Sequence, residues 1–179
     1  EVGNYAIAVQ LGELLWQLPA AVLVVLMSKT ANSKGNEIVG TLCKTTRLTL
    51  FITVLSCIGL VGASYFLIQP VFGAEFSSAF MMLVSLSLGL VLAAVFKSIN
   101  SYFAGKGNPY FTIKLMGAAV TLNIIFNYLL IPKYGGVGAG IASTISYTFS
   151  AFGVLFALVK KENIKFFDPI IVKREDFTP

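Results

Sequence analysis

The sequence predicts an all-α integral membrane protein, on the basis of its composition, its long uncharged segments and the placement of its basic residues. Of the 179 residues, 56% are hydrophobic and 12% are charged, and the mean hydropathy is +0.83. About 25% of the residues in a typical soluble domain are charged, because a globule of this size exposes much surface that water must solvate. The composition therefore excludes a soluble globular domain and indicates lipid as the main solvent.

Five segments have the length and apolarity of transmembrane helices. A hydrocarbon core about 30 Å thick needs about 20 helical residues to cross it. Only helices and closed barrels satisfy every backbone group in lipid, and the alternation at period two that is typical of barrel strands is missing from this sequence. The predicted spans are residues 4–27, 48–68, 77–96, 110–131 and 137–159.

The basic residues alternate between the two sides of these spans. Twelve of the 13 Lys and Arg residues lie in segments 28–47 and 97–114 or in the tail from residue 160, and only Lys133 lies elsewhere. The positive-inside rule places these three basic regions in the cytoplasm. Because the basic residues are divided among three regions, no single basic face is available for nucleic acid, and we expect no nucleic-acid partner.

The same rule orients the whole chain. Loops 69–76 and 132–136 face outward, the tail 161–179 is cytoplasmic, and residues 1–160 form the transmembrane part. Five spans then place residue 1 on the outer side of the cytoplasmic membrane. Since the sequence starts with Glu1 and not Met, we expect a membrane-crossing segment to precede it in the native protein.

The sequence offers no metal site, cofactor motif or catalytic arrangement. Histidine is absent, and Cys43 and Cys57 lack a metal-binding spacing. Catalysis of the Ser-His-Asp or Cys-His type needs an imidazole. The glycines from Gly135 to Gly140 lack the dinucleotide-binding spacing, and the Gly105–Gly107 cluster lacks the residues of a phosphate-binding loop. We therefore expect a protein that is not an enzyme and that binds no metal or cofactor.

Polar side chains within the predicted spans are the candidate functional residues. Gln10, Glu13 and Gln17 share one helical face, and an ionisable group at mid-helix costs about 2.5–3.5 kcal/mol to insert. These three residues line a water-filled cavity, where Glu13 meets a polar substrate or binds a coupling ion, or they contact a neighbouring helix. The same two interpretations apply to Asn123 and Asn127, which lie one turn apart. For these two residues, contact with a neighbouring helix is the preferred interpretation.

Small residues of the fifth span predict close helix packing. They recur every third or fourth position on two faces, a spacing that lets membrane helices approach one another. The glycines that precede them follow a proline, which predicts a tight turn between the fourth and fifth spans. The small residues are Gly136, Gly140 and Thr144 on one face and Ala139, Ser143, Ser146 and Ser150 on the other.

The tail mixes lysines with apolar residues, and two interpretations are open. Lys161 and Lys165 lie close to Phe166 and Phe167, followed by the apolar run 170–172. Such a segment lies along the inner leaflet against anionic lipid, or it is a solvated terminus.

Three motifs resemble polysaccharide flippases of the multidrug/oligosaccharidyl-lipid/polysaccharide exporter superfamily. Segment 2–8, VGNYAIA, is similar to the V-G-x-Y-x-x-A start of an even-numbered helix in those proteins, and segment 104–109, AGKGNP, is similar to a cytoplasmic loop. The third and most specific motif runs from Asn123 through 130–135, LIPKYG, to Tyr147 and resembles their last two core helices. The resemblance as a whole covers roughly residues 2–160.

The resemblance implies a twelve-helix flippase with two six-helix lobes, of which this chain supplies helices eight to twelve. It implies transport of a lipid-linked oligosaccharide or polysaccharide precursor by alternating access, in which the lobes rock about a central cavity. The implied partners are the polyprenyl-linked glycan, membrane lipid and the N-terminal lobe of the same chain. Gln10, Glu13 and Gln17 are then the first candidates to line the cavity, and Asn123 and Asn127 the second.

Three other functions compete with this one. A cation-coupled multidrug antiporter of the same superfamily would use Glu13 as its ion-coupling carboxylate. A glycan polymerase or ligase usually needs a sizeable outer loop, whereas the predicted outer loops have about eight and five residues. A membrane scaffold without transport activity is the third.

Overall fold

The computed structural model describes residues 2–32, 37–173 and 176, and α1 side chains for residues 2–15, Val24 and Ser28. Within these residues the chain is helical and contains no strand, which confirms the all-α class. A short 3₁₀ turn, Ala74–Phe76, joins the second and third helices. The helices are α1 Val2–Asn32, α2 Glu37–Phe72, α3 Ala79–Gly105 and α4 Pro109–Glu162.

Helix α4 consists of two helices that meet at Gly135. This residue has φ 58° and ψ −137°, a backbone conformation that favours glycine, and the preceding Pro132 cannot donate to the helical hydrogen-bond ladder. We call residues 109–134 α4a and residues 136–162 α4b. The two lie side by side and antiparallel, and a Cβ on Gly138 would lie 2.5 Å from the carbonyl oxygen of Leu130. The tight turn predicted between the fourth and fifth spans is therefore confirmed.

Helix α3 is the central helix of the described bundle. In the most apolar 18-residue stretch of the segment that contains α3, 50% is buried, compared with 22% in that of α2 and 6% in that of α4. Ile99 and Tyr102 of α3 pack with Leu42 of α2 and with Val154 and Leu158 of α4b in one core cluster. The other helices surround α3 and leave large apolar surfaces outward, as expected of a chain whose solvent is lipid.

Small residues bring α3 and α4b into close contact. A Cβ on Gly89 would lie 2.7 Å from Cα of Thr144, and one on Gly140 would lie 2.0 Å from Oγ of Ser85. The Thr144 hydroxyl donates a hydrogen bond of 2.7 Å to the Ser85 carbonyl. Gly136 faces Met82 in the same way. The predicted packing face of Gly136, Gly140 and Thr144 is confirmed by these contacts.

Three described helical segments are long and apolar enough to cross a membrane: Ile38–Phe72, Ala74–Gly105 and Pro109–Glu162. The last of these contains the break at Gly135, so it includes both predicted spans 110–131 and 137–159. Multi-pass membrane insertion is thus supported, and the count of five spans stays a prediction.

Segment 28–47, which lies between the first two predicted spans, is helical in its described parts. Helix α1 continues to Asn32 and α2 already starts at Glu37. Hydropathy reports where a helix leaves lipid, and a helix can continue into water beyond that point. Cys43 consequently lies in α2, where its side chain is buried.

The tail folds back onto the bundle. Asn163, in the left-handed conformation with φ 54°, ends α4, and Ile164, Phe166 and Ile170 pack against the core cluster. Asp176 forms a buried ion pair with Arg47, whose Nε donates a bond of 2.6 Å to Oδ2 of the carboxylate. A solvated terminus is therefore wrong for the described part of the tail.

The tail ion pair is preserved at neutral pH. Hydrogen bonds from Arg47 hold the pKa of Asp176 below its ordinary value, so the carboxylate is ionised well below pH 7. Its stabilising contribution is present above the pKa of the unfolded chain and is lost as the pH falls through the lowered folded value.

Replacing Gly89 with Ala tests the contact between α3 and α4b. The new methyl group would overlap the backbone of Thr144, and overpacking of this kind costs about 1–3 kcal/mol. We expect the Tm of the chain in detergent, followed by circular dichroism, to fall by several degrees. Gly62→Ala is the matched control, because nothing lies within 4 Å of the added Cβ. Equal Tm values for the two variants would contradict this contact.

Candidate functional site

Three neighbouring cavities lie along one flank of the bundle and are lined by residues of α1, α3, α4a and α4b. The first, of about 320 Å³, has Lys97, Asn123 and Tyr147 among its lining residues. The second, of about 70 Å³, is shared by Glu13 and Tyr147. The third, of about 410 Å³, is lined by Tyr5, Asn127 and the glycine turn. Tyr147 joins the first two and the asparagine pair joins the first to the third, so we call the three together the flank groove.

Close packing of α1 on α3 places Glu13 in this groove. A Cβ on Gly12 would lie 2.8 Å from Cδ1 of Leu90, so the helices approach closely just beside Glu13. The Glu13 side chain is exposed and lines the small pocket together with Tyr147. Glu13 is therefore the member of the predicted Gln10, Glu13 and Gln17 face that reaches a described cavity.

The other two members of that face differ from Glu13. The Gln10 side chain is exposed and does not line the described cavities of the flank groove. The side chain of Gln17 lies outside the described residues. A cavity-lining role for Gln10 and Gln17 thus stays a prediction.

Asn123 and Asn127 link the two halves of α4. The Asn123 amide donates a hydrogen bond of 3.4 Å to the Ser143 hydroxyl, and the Asn127 amide donates one of 2.9 Å to Oδ1 of Asn123. The Oδ1 atom of Asn127 is buried and has no hydrogen-bond partner. These bonds provide the helix contact that the sequence predicts. Both residues also line the groove, and a role in a substrate cavity stays a prediction.

Two serines of α4b, Ser146 and Ser150, contribute little hydrogen-bonding capacity to the groove. Ser146 donates to the carbonyl of Ala142 at 2.9 Å, and Ser150 donates to the carbonyl of Ser146 at 3.0 Å. Such bonds to the preceding turn satisfy a hydroxyl within its own helix. The remaining polar groups of the first cavity are those of Lys97, Asn123, Ser143 and Tyr147.

Sequence reasoning missed Tyr147 and Lys97 as groove residues. Tyr147 follows Ser146 in the small-residue pattern, and a Cβ on Gly89 would lie 3.0 Å from its ring. Lys97 lies at the end of a predicted span, where it was used only for orientation. The sequence signal for Tyr147 was an aromatic residue within a small-residue face. The signal for Lys97 was a lysine at the end of a span.

Polar side chains line the groove, whereas most of the bundle is apolar. The groove presents a carboxylate, an ammonium group, amides and hydroxyls, which can form hydrogen bonds with a polar ligand. Among the described residues, no three His, Cys, Asp or Glu side chains are grouped so that they could hold a metal ion.

The largest described cavity belongs to the tail. It measures about 590 Å³ and includes Lys44, Arg47, Asp168, Lys173 and Asp176 among its lining residues. Arg47 binds Asp176, and its Nη1 also donates a bond of 2.8 Å to the carbonyl of Asp168. Much of the charge around this cavity is thus engaged in contacts within the protein. These contacts hold the tail against α2.

Long apolar helices, small-residue contacts and a polar groove along one flank are typical of a multi-pass membrane protein. The comparisons with known proteins agree with this class. The chain belongs to the lipid II flippase MurJ family, whose model matches residues 3–175.

Individual relatives match shorter stretches. The chain is 34% identical to the capsular polysaccharide biosynthesis protein CapF of Staphylococcus aureus over 109 residues, 58% of this chain and 27% of that protein. It is 33% identical to a probable multidrug resistance protein NorM of Halalkalibacterium halodurans over 84 residues, 44% of this chain and 18% of that protein. The chain thus spans only a minor part of the length of the curated relatives it matches. No solved structure matches it significantly.

Replacing Asn123 with Ala tests the link within α4. The change removes both the donor to Ser143 and the acceptor of Asn127. Hydrogen bonds between membrane helices contribute about 0.6–2 kcal/mol, so we expect a lower Tm in detergent. Ile124→Ala is the control at a side chain that is 64% exposed. A greater loss for Ile124→Ala than for Asn123→Ala would refute the role of the amide.

Proposed function

We propose that this chain forms part of a flippase that moves a lipid-linked oligosaccharide or polysaccharide precursor across the cytoplasmic membrane. The match of the lipid II flippase family model to residues 3–175 is the observation that carries the proposal. The printed name of CapF, a capsular polysaccharide biosynthesis protein, supports the same substrate class.

The physical task is to carry a polar head through hydrocarbon. Burial of a hydroxyl group without a partner costs several kcal/mol, and burial of an ionised phosphate costs far more. A groove that supplies partners at the depth of the membrane removes much of this barrier, while the polyprenyl tail stays in lipid. The flank groove is our candidate for one wall of that path, with Glu13, Tyr147 and Asn123 as contacts for the head.

The proposed mechanism is alternating access. In it, the five helices are helices eight to twelve of a twelve-helix protein, and they move as one lobe against the N-terminal lobe of the same chain. The close packing of α3 on α4b suits such rigid-body motion, because small-residue contacts leave little freedom within the lobe.

The proposed orientation has residue 1 outside and the C-terminus in the cytoplasm. Contacts between segments at each end of the bundle support this orientation, because they identify which helix ends lie on the same side. Asn4 donates to the Glu75 carbonyl at one end, whereas Tyr102 donates to Glu162 at the other. The basic segments are all at the second of these ends, which the positive-inside rule assigns to the cytoplasm.

The multidrug antiporter remains the second candidate, because several relatives carry the name NorM, including that of Halalkalibacterium halodurans. Their name describes probable multidrug resistance proteins. In that case Glu13 would couple an ion gradient to the export of an organic compound.

Single cysteines test the orientation. The native thiols are poor reporters since both are buried, so they are first replaced in a Cys43→Ser, Cys57→Ser background. A membrane-impermeant maleimide applied to intact cells should label Tyr134→Cys, at a side chain that is 58% exposed. It should label Lys106→Cys only after the membrane is opened. The reverse pattern would invert the topology.

Glu13→Gln tests the proposed function in the reconstituted full-length protein. Flipping is measured as exposure of a labelled lipid-linked glycan to a glycan-modifying enzyme added outside. Loss of a hydrogen bond to a charged group costs about 1.5–3 kcal/mol, so the rate should fall about ten-fold or more. Glu75→Gln, in the short turn after α2, is the matched control.

Three results separate the candidates. Glycan exposure by the unaltered protein that does not need an ion gradient supports the flippase. Gradient-dependent efflux of an organic cation that Glu13→Gln abolishes, without glycan exposure, supports the antiporter. If neither is seen in the unaltered protein, the proposal of a transporter is wrong.

A further inference from the structure

The tail has an inner face that packs on the bundle and an outer face that does not. Ile164, Phe166 and Ile170 pack against the core. Between them, Phe167 is 61% exposed, and Ile171 is 55% exposed. Lys165 and Lys173 are also exposed. We call Lys165, Phe167, Ile171 and Lys173 the outer tail face.

Hydrogen bonds hold this face in a defined shape. The Lys165 amide donates to Oδ2 of Asp168 at 3.2 Å, and the Lys173 amide donates to Oδ2 of Asp176 at 2.8 Å. The backbone amides of Ile170 and Ile171 both donate to the Phe167 carbonyl at 3.0 Å. The ion pair with Arg47 then fastens the far end of the segment to α2. The exposed apolar side chains are therefore fixed in place by the fold.

An aromatic contact places the outer tail face beside the lipid-facing flank of α4b. The ring of Phe166 stacks on that of Phe152, with centroids 6.2 Å apart, and Phe167 meets Phe166 edge-on at 5.4 Å. Phe152 is 51% exposed and lies within the predicted span 137–159, toward the end that the tail follows. The row of three rings thus runs from the flank of a predicted membrane helix to the outer tail face.

The charge at this end of the bundle is positive. Glu162 accepts a hydrogen bond of 2.7 Å from the Tyr102 hydroxyl, and Asp176 is paired with Arg47. Asp168 accepts from the Lys165 amide and lies 3.5 Å from the Lys173 ammonium. These three carboxylates are thus engaged by the protein, whereas Lys160, Lys161 and Lys165 present exposed side chains.

We propose that the outer tail face docks on the adjacent membrane leaflet and selects anionic lipid there. Phe167 and Ile171 enter the boundary between headgroups and acyl chains, and Lys165 and Lys173 contact the lipid phosphates. Apolar residues interspersed with lysines bind membrane surfaces in this way. The charge complementarity and the row of rings from α4b favour lipid over a protein partner. The inference does not depend on the transported substrate.

Tryptophan fluorescence in vesicles tests the docking. The chain has one tryptophan, so Trp16→Phe provides a silent background for Phe167→Trp in the full chain. Vesicles contain phosphatidylcholine and phosphatidylglycerol, with the bromine quencher on one lipid or on the other. We expect both to quench Phe167→Trp, and brominated phosphatidylglycerol to quench it more strongly. Ile164→Trp, on the inner face, is the matched control and should be quenched much less.

Removal of the lysines separates charge from apolar insertion. Lys165→Gln with Lys173→Gln, added to the Phe167→Trp chain, should weaken the preference for phosphatidylglycerol by about five-fold per lysine. Quenching by brominated phosphatidylcholine should persist. Lys133→Gln, at the opposite end of the bundle, is the control and should leave the preference unchanged.

Each contrary result overturns a named part of the proposal. If neither brominated lipid quenches Phe167→Trp, the face does not dock on the membrane and another partner covers it. Equal quenching by the two lipids overturns the selection of anionic lipid. Quenching of Ile164→Trp as strong as that of Phe167→Trp overturns the two-faced arrangement of the tail. Flipping can succeed or fail independently of all three.

Discussion

The close contact of α3 with α4b is the constraint on which the other features of this bundle depend. Lipid supplies no hydrophobic force between helices, so α3 and α4b are held by van der Waals contact and by the hydrogen bond from Thr144 to Ser85. Both require that Gly89 and Gly140 carry no side chain. Helix α1 then packs on the other side of α3 at Gly12. The depth and the polar lining of the flank groove follow from these two contacts.

The groove shows how polar groups are placed in a bundle with an apolar exterior. Glu13 comes from α1, Lys97 from α3, Asn123 from α4a and Tyr147 from α4b. Each belongs to a helix that is otherwise apolar, so its insertion cost is offset by polar neighbours or by water in the groove. Tyr147 is central because its ring lies over Gly89 and borders two of the three cavities. A larger residue at position 89 would displace both the helix and the ring.

Local features of the fold were predictable from the sequence, and contacts between distant segments were not. Gly135 follows a proline and predicts its own turn, and the spacing of Gly136, Gly140 and Thr144 predicts a packing face without naming the partner helix. Composition also predicts the all-helical class. By contrast, the pocket that Glu13 and Tyr147 share needs three helices in register, and the fold of the tail needs a partner for Arg47 in α2. Periodicity within one segment cannot predict such pairings. The sequence therefore predicted part of the site but not the fold of the tail.

The pair of Arg47 and Asp176 has a consequence for the order of events during synthesis. The two residues are 129 positions apart, and ribosomes add about 5–20 residues per second. Arg47 therefore emerges about 6–26 s before its carboxylate partner exists. During that interval the guanidinium of Arg47, in the N-terminal part of α2, can be solvated only by water or lipid phosphate. The tail can therefore complete its fold only after Asp176 has been synthesised, and a chain truncated before Asp176 would lack the carboxylate partner of Arg47.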